Sequence, residues 1–483
     1  MTEPIKSVTP VQSRIIAPLN EGSEFSANSY IQFRINASEL PMWLVNDSYL
    51  RFDIEYTRSL YKIPASSVAS ASNKNINKTY IRNAGNIFNM IKVKYGGDDI
   101  YTQLYNIEQN TLKMLSYGES YLNANYATFT TNKMIQDKKA YLEFDNGTAA
   151  DNTDGKAIAS VSKTIANVMI PINQLLPFFM DVNSTGFPIG YLKKQFEINL
   201  YIAEPYKYLV DYDDNMNDFS EYFRRSKSSN NNTQPIITNA DLSIRYPSNS
   251  IKLTNVRMYC SCYVPTNDEA QVIQNKINSD GLKYKYNLWH IGVREVSGLS
   301  STNNLPFSVT SENTSSLMLY CHNQNISPSI MHRPLINSLY LRFGEMQLPF
   351  QPIPGDSFTN PYEYKFTSDD VLNNIDTYFS ETNNDYNNSY RYRSIPDADT
   401  DHVSMKTDDI QSNETPGSSF ILMGANFTNS NDKLGSASSR WNHQYQASFN
   451  ARLNQKLPLR FILGVKTEIG MVVKDGNIAN INI

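Results

Sequence analysis

The amino-acid sequence predicts an all-β protein made of two similar domains in tandem. Three observations lead to this prediction: short segments of alternating apolar and polar residues, long polar segments between them, and a similarity between the two halves of the chain. The chain has 483 residues, of which 40% are hydrophobic and 19% charged, and it contains 32 Tyr and 22 Phe. Aromatic residues favour strands, and this length exceeds one ordinary domain, so the composition fits more than one β-domain.

The alternation has the period of two that a strand with one buried face requires. In the first half it covers residues 31–35, 50–56, 91–95, 168–172, 196–202 and 256–264. In the second half it covers residues 284–293, 317–321, 335–343, 420–425, 446–453 and 459–465. Each segment is expected to bury one face and expose the other.

A few short helices are expected between these strands. Apolar residues between Tyr101 and Leu115 recur at helical spacing, and Thr266 and Glu269 have the spacing of a capping box that begins a second helix. Gly281 ends that helix. Residues 145–156, 211–235 and 353–418 are polar and lack periodicity, which predicts long loops.

The two halves match each other at two places in the same order. Residues 87–96 align with residues 335–344 at an offset of 248, so Asn89 matches Asn337 and Gly96 matches Gly344. Residues 195–200 align with residues 446–451 at an offset of 251. Two ordered matches half a chain apart favour duplication of one domain.

Short strands joined by long loops suit a sandwich or barrel, and an eight-stranded jelly roll closes most of its strand edges. The sequence therefore predicts two eight-stranded antiparallel jelly rolls in tandem, with long loops and a few short helices. The predicted divisions are an N-terminal arm (1–24), a first jelly roll (25–265), a helical linker (266–280) and a second jelly roll (281–483).

Charge and cysteine content narrow the class of protein. The chain has 43 basic and 47 acidic residues, a net charge of −4. Proteins that coat nucleic acid need a basic surface, so we expect no sequence-specific nucleic-acid partner, although a local basic arm stays open.

Cys260 and Cys262 lie on one face of a predicted strand. With Cys321 they are too few for a disulfide framework, which indicates buried thiols in a reducing compartment.

Targeting signals are not evident. The first residues lack the apolar core of a signal peptide, and no run reaches the ~18 apolar residues of a membrane span. We therefore expect synthesis without a secretion signal, and no membrane span. Triplets of Asn-x-Ser/Thr, at Asn36, Asn146 and Asn426 for example, are interpreted as a consequence of high Asn content rather than as glycosylation sites.

Two acidic runs are the most metal-like features. Asp397-Ala-Asp399-Thr-Asp401-His402 alternates carboxylates that could offer oxygen ligands to Ca²⁺, but it lacks the turn Gly and distal Glu of an EF-hand. Asp211, Asp213, Asp214 and Asp218 form a similar run. Both are interpreted as solvated acidic loops, with a structural cation left open.

The remaining candidate residues also indicate no catalytic or ligand-binding site. Gly96-Gly97 follows a strand without a phosphate-binding motif and predicts a tight turn. Arg224, Arg225 and Lys227 are interpreted as a solvent-facing basic cluster. Trp289-His290 is interpreted as a packing or surface pair. No metal-ligand spacing occurs among the five histidines, which are His290, His322, His332, His402 and His443. We predict no catalytic, cofactor-binding or metal-binding residues, no cofactor and no enzyme activity.

The order of these motifs resembles a known family. Asn86-Ile-Phe-Asn-Met-Ile-Lys-Val-Lys-Tyr-Gly-Gly97, a helix, Val168-Met-Ile-Pro-Ile-Asn-Gln-Leu-Leu-Pro177 and Phe196-Glu-Ile-Asn-Leu-Tyr-Ile202 follow one another as in a jelly-roll capsid domain. Ser338-Leu-Tyr-Leu-Arg-Phe-Gly344 stands at the corresponding place in the second half. Over roughly residues 25–483 the chain resembles the double jelly-roll major capsid proteins of virophages, polinton-like viruses and adenovirus hexons.

This resemblance implies a homotrimer with a pseudo-hexagonal outline that tiles the icosahedral shell of a virion. The long loops would form outer towers and trimer contacts, and the arm would lie at the inner face near penton or minor capsid proteins. Two alternatives stay open. One is a glycan- or receptor-binding β-sandwich of a fibre or spike. The other is a carbohydrate-active enzyme, which needs two carboxylates roughly 5–10 Å apart in one cleft.

Overall fold

A computed structural model describes much of the first half of the chain and the strands of the second half. The described residues are 11–20, 22, 24–61, 78–81, 84–116, 143–145, 157–179, 186–212, 250–296, 303–309, 314–323, 336–343, 346–354, 423–426, 445–453 and 459–481. Within them antiparallel strands predominate, which confirms the all-β class. The predicted loops at 145–156, 211–235 and 353–418 lie almost wholly outside the described residues.

The first half contains twelve strands among its described residues. They are β1 (Gln12–Ile16), β2 (Glu24–Ser26), β3 (Tyr30–Ile35), β4 (Met42–Tyr61), β5 (Lys78–Ile81), β6 (Phe88–Tyr95), β7 (Asp98–Gln103), β8 (Glu143–Asp145), β9 (Ala157–Pro171), β10 (Phe196–Ile202), β11 (Leu209–Tyr212) and β12 (Ser250–Tyr263). Helices α1 (Asn106–Ser116) and α2 (Ile172–Leu175) lie between them, and α3 (Asn267–Ser279) follows β12.

The second half contains nine strands among its described residues. They are β13 (Leu282–Val296), β14 (Asn303–Val309), β15 (Thr314–Asn323), β16 (Ile336–Phe343), β17 (Met346–Pro354), β18 (Met423–Asn426), β19 (Tyr445–Leu453), β20 (Leu459–Lys474) and β21 (Asn477–Ile481).

Both halves have the same strand order in two sheets. One sheet runs β1-β12-β4-β9 in the first half, with β2 also paired to β12, and β13-β20-β15-β18 in the second. The other sheet runs β3-β10-β6-β7 and β14-β19-β16-β17. In the first half β1 and β2 count as one strand and the small β11-β5-β8 sheet is set aside, and in the second half β21, which pairs with β20, is set aside. Among the described residues each half then joins eight strands in jelly-roll order. The predicted pair of jelly rolls is confirmed.

The register of the strands agrees with the predicted duplication. Val93 of β6 lies opposite Ile198 of β10, and Leu341 of β16 lies opposite Phe449 of β19. The offsets are 248 (341 − 93) and 251 (449 − 198), the two offsets read from the sequence. Residues 89–95 and 337–343 therefore occupy equivalent strands of two similar sandwiches.

The predicted alternation of apolar and polar residues places the apolar side chains of the first jelly roll in its core. Ile91 and Val93 are buried, whereas Lys92 and Lys94 point to the outer face, where both approach Asp99. A one-residue slip would expose the apolar set, so burial fixes the register. The side chains of Leu339 and Leu341 lie outside the described part of the second jelly roll, and only their register is compared.

The helix predicted from the capping box at Thr266 is present as α3, while the helix after β6 is shorter than predicted. The Thr266 side chain and Glu269 form the expected capping box of α3. Helix α1 begins at Asn106, because residues 98–103 form strand β7. Gly96 and Gly97 both have positive φ, 63° and 95°, and join β6 to β7 in a two-residue hairpin turn, as the glycine pair predicted.

The N-terminal arm also differs from the prediction. Residues 12–16, assigned to the arm, form β1 and pair with β12 from Gln12↔Cys262 to Ile16↔Met258. Only Ile16 of this short strand is buried, so the apolar alternation that marks longer strands is missing. Its partner strand lies between 242 (258 − 16) and 250 (262 − 12) residues further along the chain, and local sequence does not reveal such a contact.

The junction between the jelly rolls and a candidate assembly surface

The two jelly rolls share one buried junction. Strands β13, β20 and β21 of the second jelly roll extend over the first, and there Tyr284, Tyr286 and Met471 join the hydrophobic cluster that contains Phe178 and Phe187. These residues of the second jelly roll therefore pack into the core of the first.

Aromatic rings form the centre of the junction. The ring of Tyr286 lies 5.2 Å from Phe178 and 6.0 Å from Tyr101, and Tyr284 lies 5.6 Å from Phe187. Tilted and edge-to-face pairs at these distances each contribute ~0.5–1.5 kcal/mol beyond area burial. Burial raises the pKa of Tyr286 to about 12, so this phenol remains a neutral hydrogen-bond donor at physiological pH.

Hydrogen bonds to main-chain groups fix the position of the rings. The Tyr95 hydroxyl donates to the carbonyl of Gly476, and the Lys193 amide donates to the same carbonyl at 2.9 Å. The Tyr284 hydroxyl donates to the carbonyl of Gly186 at 3.3 Å. Gly476 has φ of 72°, and a Cβ there would lie 2.9 Å from the Tyr191 carbonyl oxygen, so this turn of the second jelly roll requires glycine.

Helix α1 fills the rest of the junction. Its residues 106–112 are all buried, including Glu108. Glu108 lies 4.0 Å from Arg460 of β20, which also lies 3.7 Å from Glu295 of β13. Burial raises the pKa of the Glu108 carboxyl, and the Arg460 charge opposes that shift. At Gly464 of β20 a Cβ would overlap the Leu112 side chain, so the helix and strand approach closely because the strand has glycine there.

A second feature lies on the outer face of the first sheet. Five outward side chains cross strands β1, β12, β4 and β9, and we call them the outer row: Ile15, Tyr259, Tyr49, Arg51 and Met169. The rings of Tyr49 and Tyr259 stack at 5.1 Å and 8°, and the Arg51 guanidinium lies 5.7 Å from the Tyr259 ring centre. Ile15 is 61% exposed and Met169 43% exposed.

The outer face of the opposite sheet is chemically different. There Arg34 pairs with Glu197 at 3.2 Å, and Lys92 pairs with Asp99 at 2.7 Å. The Gln32 side chain also donates to Glu197, at 2.9 Å. Tyr30 and Tyr201 also lie on that face, with ring centres 5.6 Å apart. It therefore combines paired charges with aromatic surface, whereas the outer row is mostly apolar and aromatic.

Three of the groups singled out from the sequence lie outside the described residues. They are the acidic run Asp397–His402, the acidic residues Asp213, Asp214 and Asp218, and the basic cluster Arg224, Arg225 and Lys227. Asp211 lies in β11.

The described cysteines and His290 are packing residues. Cys260 and Cys262 are free, buried and inward on β12, and burial raises the pKa of both thiols. His290 Nε2 lies 3.0 Å from Thr467 Oγ1, and burial lowers its pKa. Across the described residues no three His, Cys, Asp or Glu side chains cluster as metal ligands. No helix in the same part of the chain is both long and apolar enough to cross a membrane.

Sequence reasoning missed both the junction and the outer row. Tyr49 lies one residue before the alternating segment 50–56, and Ile15 lies in the segment assigned to the arm. Nothing in the local sequence links them, because β12 brings them together from the other end of the first jelly roll. Tyr284 and Tyr286 were correctly predicted to lie in a strand, but the alternation does not show what covers that strand.

Two jelly rolls of equal strand order, joined through a buried junction, define the double jelly-roll architecture. No protein-family model matches the chain, and no curated protein matches it. The fold is similar to that of the mavirus major capsid protein, with a TM-score of 0.51 and 10% identity over 100% of this chain and 93% of that one. The predicted resemblance to double jelly-roll major capsid proteins is confirmed as a resemblance of fold.

Two further solved structures cover nearly the whole chain. The Faustovirus major capsid protein has a TM-score of 0.49 and 8% identity over 98% of this chain and 92% of that one. A chain in the cryo-EM structure of the Sputnik virophage has a TM-score of 0.48 and 12% identity, with coverage of 98% and 88%.

Proposed function

We propose that this protein is the major capsid protein of a virus and is located in the virion. In this proposal it forms homotrimers of pseudo-hexameric outline that tile an icosahedral shell. The observation that carries the proposal is the packing of two jelly rolls of the same strand order into one unit. Three such chains present six equivalent sandwiches, and soluble homo-oligomers favour closed symmetry.

The proposed partners are other copies of the chain, neighbouring capsomers, and penton and minor capsid proteins. The proposed domains are those expected from the sequence, except that β1 is added to the first jelly roll because it pairs with β12. Residues 281–483 form the proposed second jelly roll, and α3 is the linker.

The proposed role is structural and not enzymatic. The described polar groups of the junction serve packing: Tyr95, Tyr284 and Asn480 bond to main-chain carbonyls, and Glu108 pairs with Arg460. These groups are already engaged within the fold, which favours a structural role for the junction.

Light scattering and electron microscopy of the purified full-length chain test the proposal. We expect a trimer at micromolar concentration and neutral pH, with an interface above the ~1,200–2,000 Å² of standard complexes, and particles of hexagonal outline. A monomer under these conditions contradicts the capsid proposal. Isolated monomers that bind a glycan array would favour the fibre or spike alternative instead.

A further inference from the structure

We propose that the junction between the jelly rolls binds an ordered water molecule, held by the side chains of Gln109 and Tyr101. The inference goes beyond the proposed function, because it concerns how α1 is seated between the jelly rolls of one chain and does not depend on assembly. The groups that face the site are an amide and a phenol, both uncharged, and together they suit water rather than an ion.

The first support is the Gln109 amide, which is buried without a hydrogen-bond partner. Gln109 lies on α1 and is 0% exposed. Neither its Nε2 nor its Oε1 has a partner among the described residues. Buried polar groups in folded proteins are nearly always hydrogen-bonded, to protein or to ordered water, because an amide removed from water without replacement is unfavourable. A partner for this amide is therefore expected inside the junction.

The second support is the Tyr101 hydroxyl, which lies close to the same amide. Burial raises the pKa of Tyr101, and the neighbouring Gln109 side chain opposes that shift. Nevertheless, no hydrogen bond of normal geometry joins these two described groups directly. Two polar groups that are close but not directly bonded are the arrangement that a bridging water completes.

The third support is the length of the hydrogen bonds around this pair. The Tyr101 hydroxyl donates to Gln103 Oε1 at 3.4 Å, and Gln103 Nε2 donates to the Tyr105 carbonyl at 3.5 Å. From the second jelly roll, the Tyr286 hydroxyl donates to Asn480 Oδ1 at 3.3 Å. Well-formed hydrogen bonds between such groups are ~2.7–3.0 Å long. The Tyr101 oxygen, whose own bond is long, can therefore accept a shorter hydrogen bond from water.

Neighbouring polar side chains of α1 differ from Gln109. Asn106 Nδ2 donates to two main-chain carbonyls, at 2.9 and 2.7 Å. Thr111 Oγ1 donates to the carbonyl of Ile107 at 3.0 Å. These buried groups have direct protein partners at normal distances, so the helix is not loosely packed as a whole. The unpaired amide is a local feature of the side of α1 that meets Tyr101.

The proposed water connects α1 to the aromatic centre of the junction. It accepts a hydrogen bond from Gln109 Nε2 and donates one to the Tyr101 hydroxyl oxygen. Its second hydrogen is available to another acceptor, in keeping with the roughly three hydrogen bonds that a buried water makes. The Tyr101 ring lies 6.0 Å from Tyr286 of the second jelly roll, so the water is bound where the two jelly rolls meet.

The test in solution compares Gln109→Met with Thr111→Val in the full-length chain. Gln109→Met keeps a side chain of similar length but removes the amide, so it should lose about one long-lived internal water per chain. Thr111→Val removes a buried hydroxyl that is bonded within the helix and should leave the number of internal waters unchanged. Magnetic relaxation dispersion of the water nuclei counts these molecules. Equal counts for the wild type and Gln109→Met overturn the proposal.

A high-resolution density map of the wild-type chain provides a second readout that needs no variant. We expect a water peak within hydrogen-bond distance of both the Gln109 amide and the Tyr101 hydroxyl. A map in which Gln109 bonds directly to Tyr101, or in which no peak lies between them, overturns the proposal even if Gln109→Met fails to fold.

Discussion

The hydroxyl of Tyr95 donates to the carbonyl of Gly476, which lies 381 residues further along the chain. The same hydroxyl accepts a hydrogen bond from the Lys194 amide at 3.1 Å. One buried phenol thus joins the hairpin of the first jelly roll to the turn between β20 and β21. This contact makes the two jelly rolls depend on each other.

Tyr95→Phe should weaken the junction. The change leaves the buried Gly476 carbonyl with only the Lys193 amide as a donor, so we expect a loss of ~1–3 kcal/mol in the free energy of unfolding. Chemical denaturation checks this value. Tyr30→Phe is the control, because Tyr30 is 43% exposed and should change stability by less than ~0.5 kcal/mol. Equal effects of the two changes would argue against the junction contact.

Glu108→Gln should alter the pH dependence of stability. Burial raises the folded-state pKa of Glu108 above its ordinary value of 4.5, so folding favours the protonated carboxyl. The stability from this group is fully present below the ordinary value and is lost as pH rises through the folded-state pKa. We expect the variant to lack this decline. Chemical denaturation at a series of pH values across this range measures the decline in stability. Glu295→Gln is the control, because the Glu295 side chain is 59% exposed.

Gly464→Ala should strain the contact between α1 and β20. The added methyl would overlap Leu112 and lie 3.0 Å from Trp289 Cε3, so we expect a cost of ~1–3 kcal/mol. Leu112→Ala alone should also destabilise, by ~2–5 kcal/mol. The double variant should cost less than the two together, since the truncated side chain makes room for the methyl group. Strict additivity in a double-mutant cycle would refute direct contact.

Val93→Ala and Leu341→Ala test the duplication energetically. Val93 is buried in the first core, and truncation there should cost on the order of 2–4 kcal/mol. Leu341 occupies the equivalent register, and we expect a similar cost. Lys92→Ser removes only a partly exposed pair with Asp99 and should cost less than ~1 kcal/mol. Thermal or chemical unfolding measures the loss of stability in each variant. A negligible loss in Leu341→Ala would contradict the equivalence of Val93 and Leu341.

Replacement of Asp399 and Asp401 by Asn tests the interpretation of the acidic run. If these residues form a solvated loop, the double variant should fold and trimerise like the wild type. Elemental analysis and light scattering provide the measurements. Loss of a stoichiometric metal together with an activity would overturn the prediction that the protein is not an enzyme.

The features that the sequence predicted correctly are those that depend on residues close together in the chain. Alternation predicted β6, β10, β16 and β19, because burial of one face constrains the residues of the strand itself. The capping box predicted the start of α3 for the same local reason. Strand β7 was mistaken for part of a helix, since Tyr101 and Leu104 happen to match the helical period.

The sequence by itself determined the longer alternating strands, the glycine turn at Gly96-Gly97 and the repeat that defines two jelly rolls. Each depends on residues close together in the chain or on comparison of one segment with another. Only the tertiary structure decided that Glu108 meets Arg460, and that Ile15, Tyr259 and Met169 share one outer face. These residues lie 90 or more positions apart in the chain (259 − 169 = 90), and sheet pairing and the packing of α1 on β20, which no local pattern encodes, bring them together.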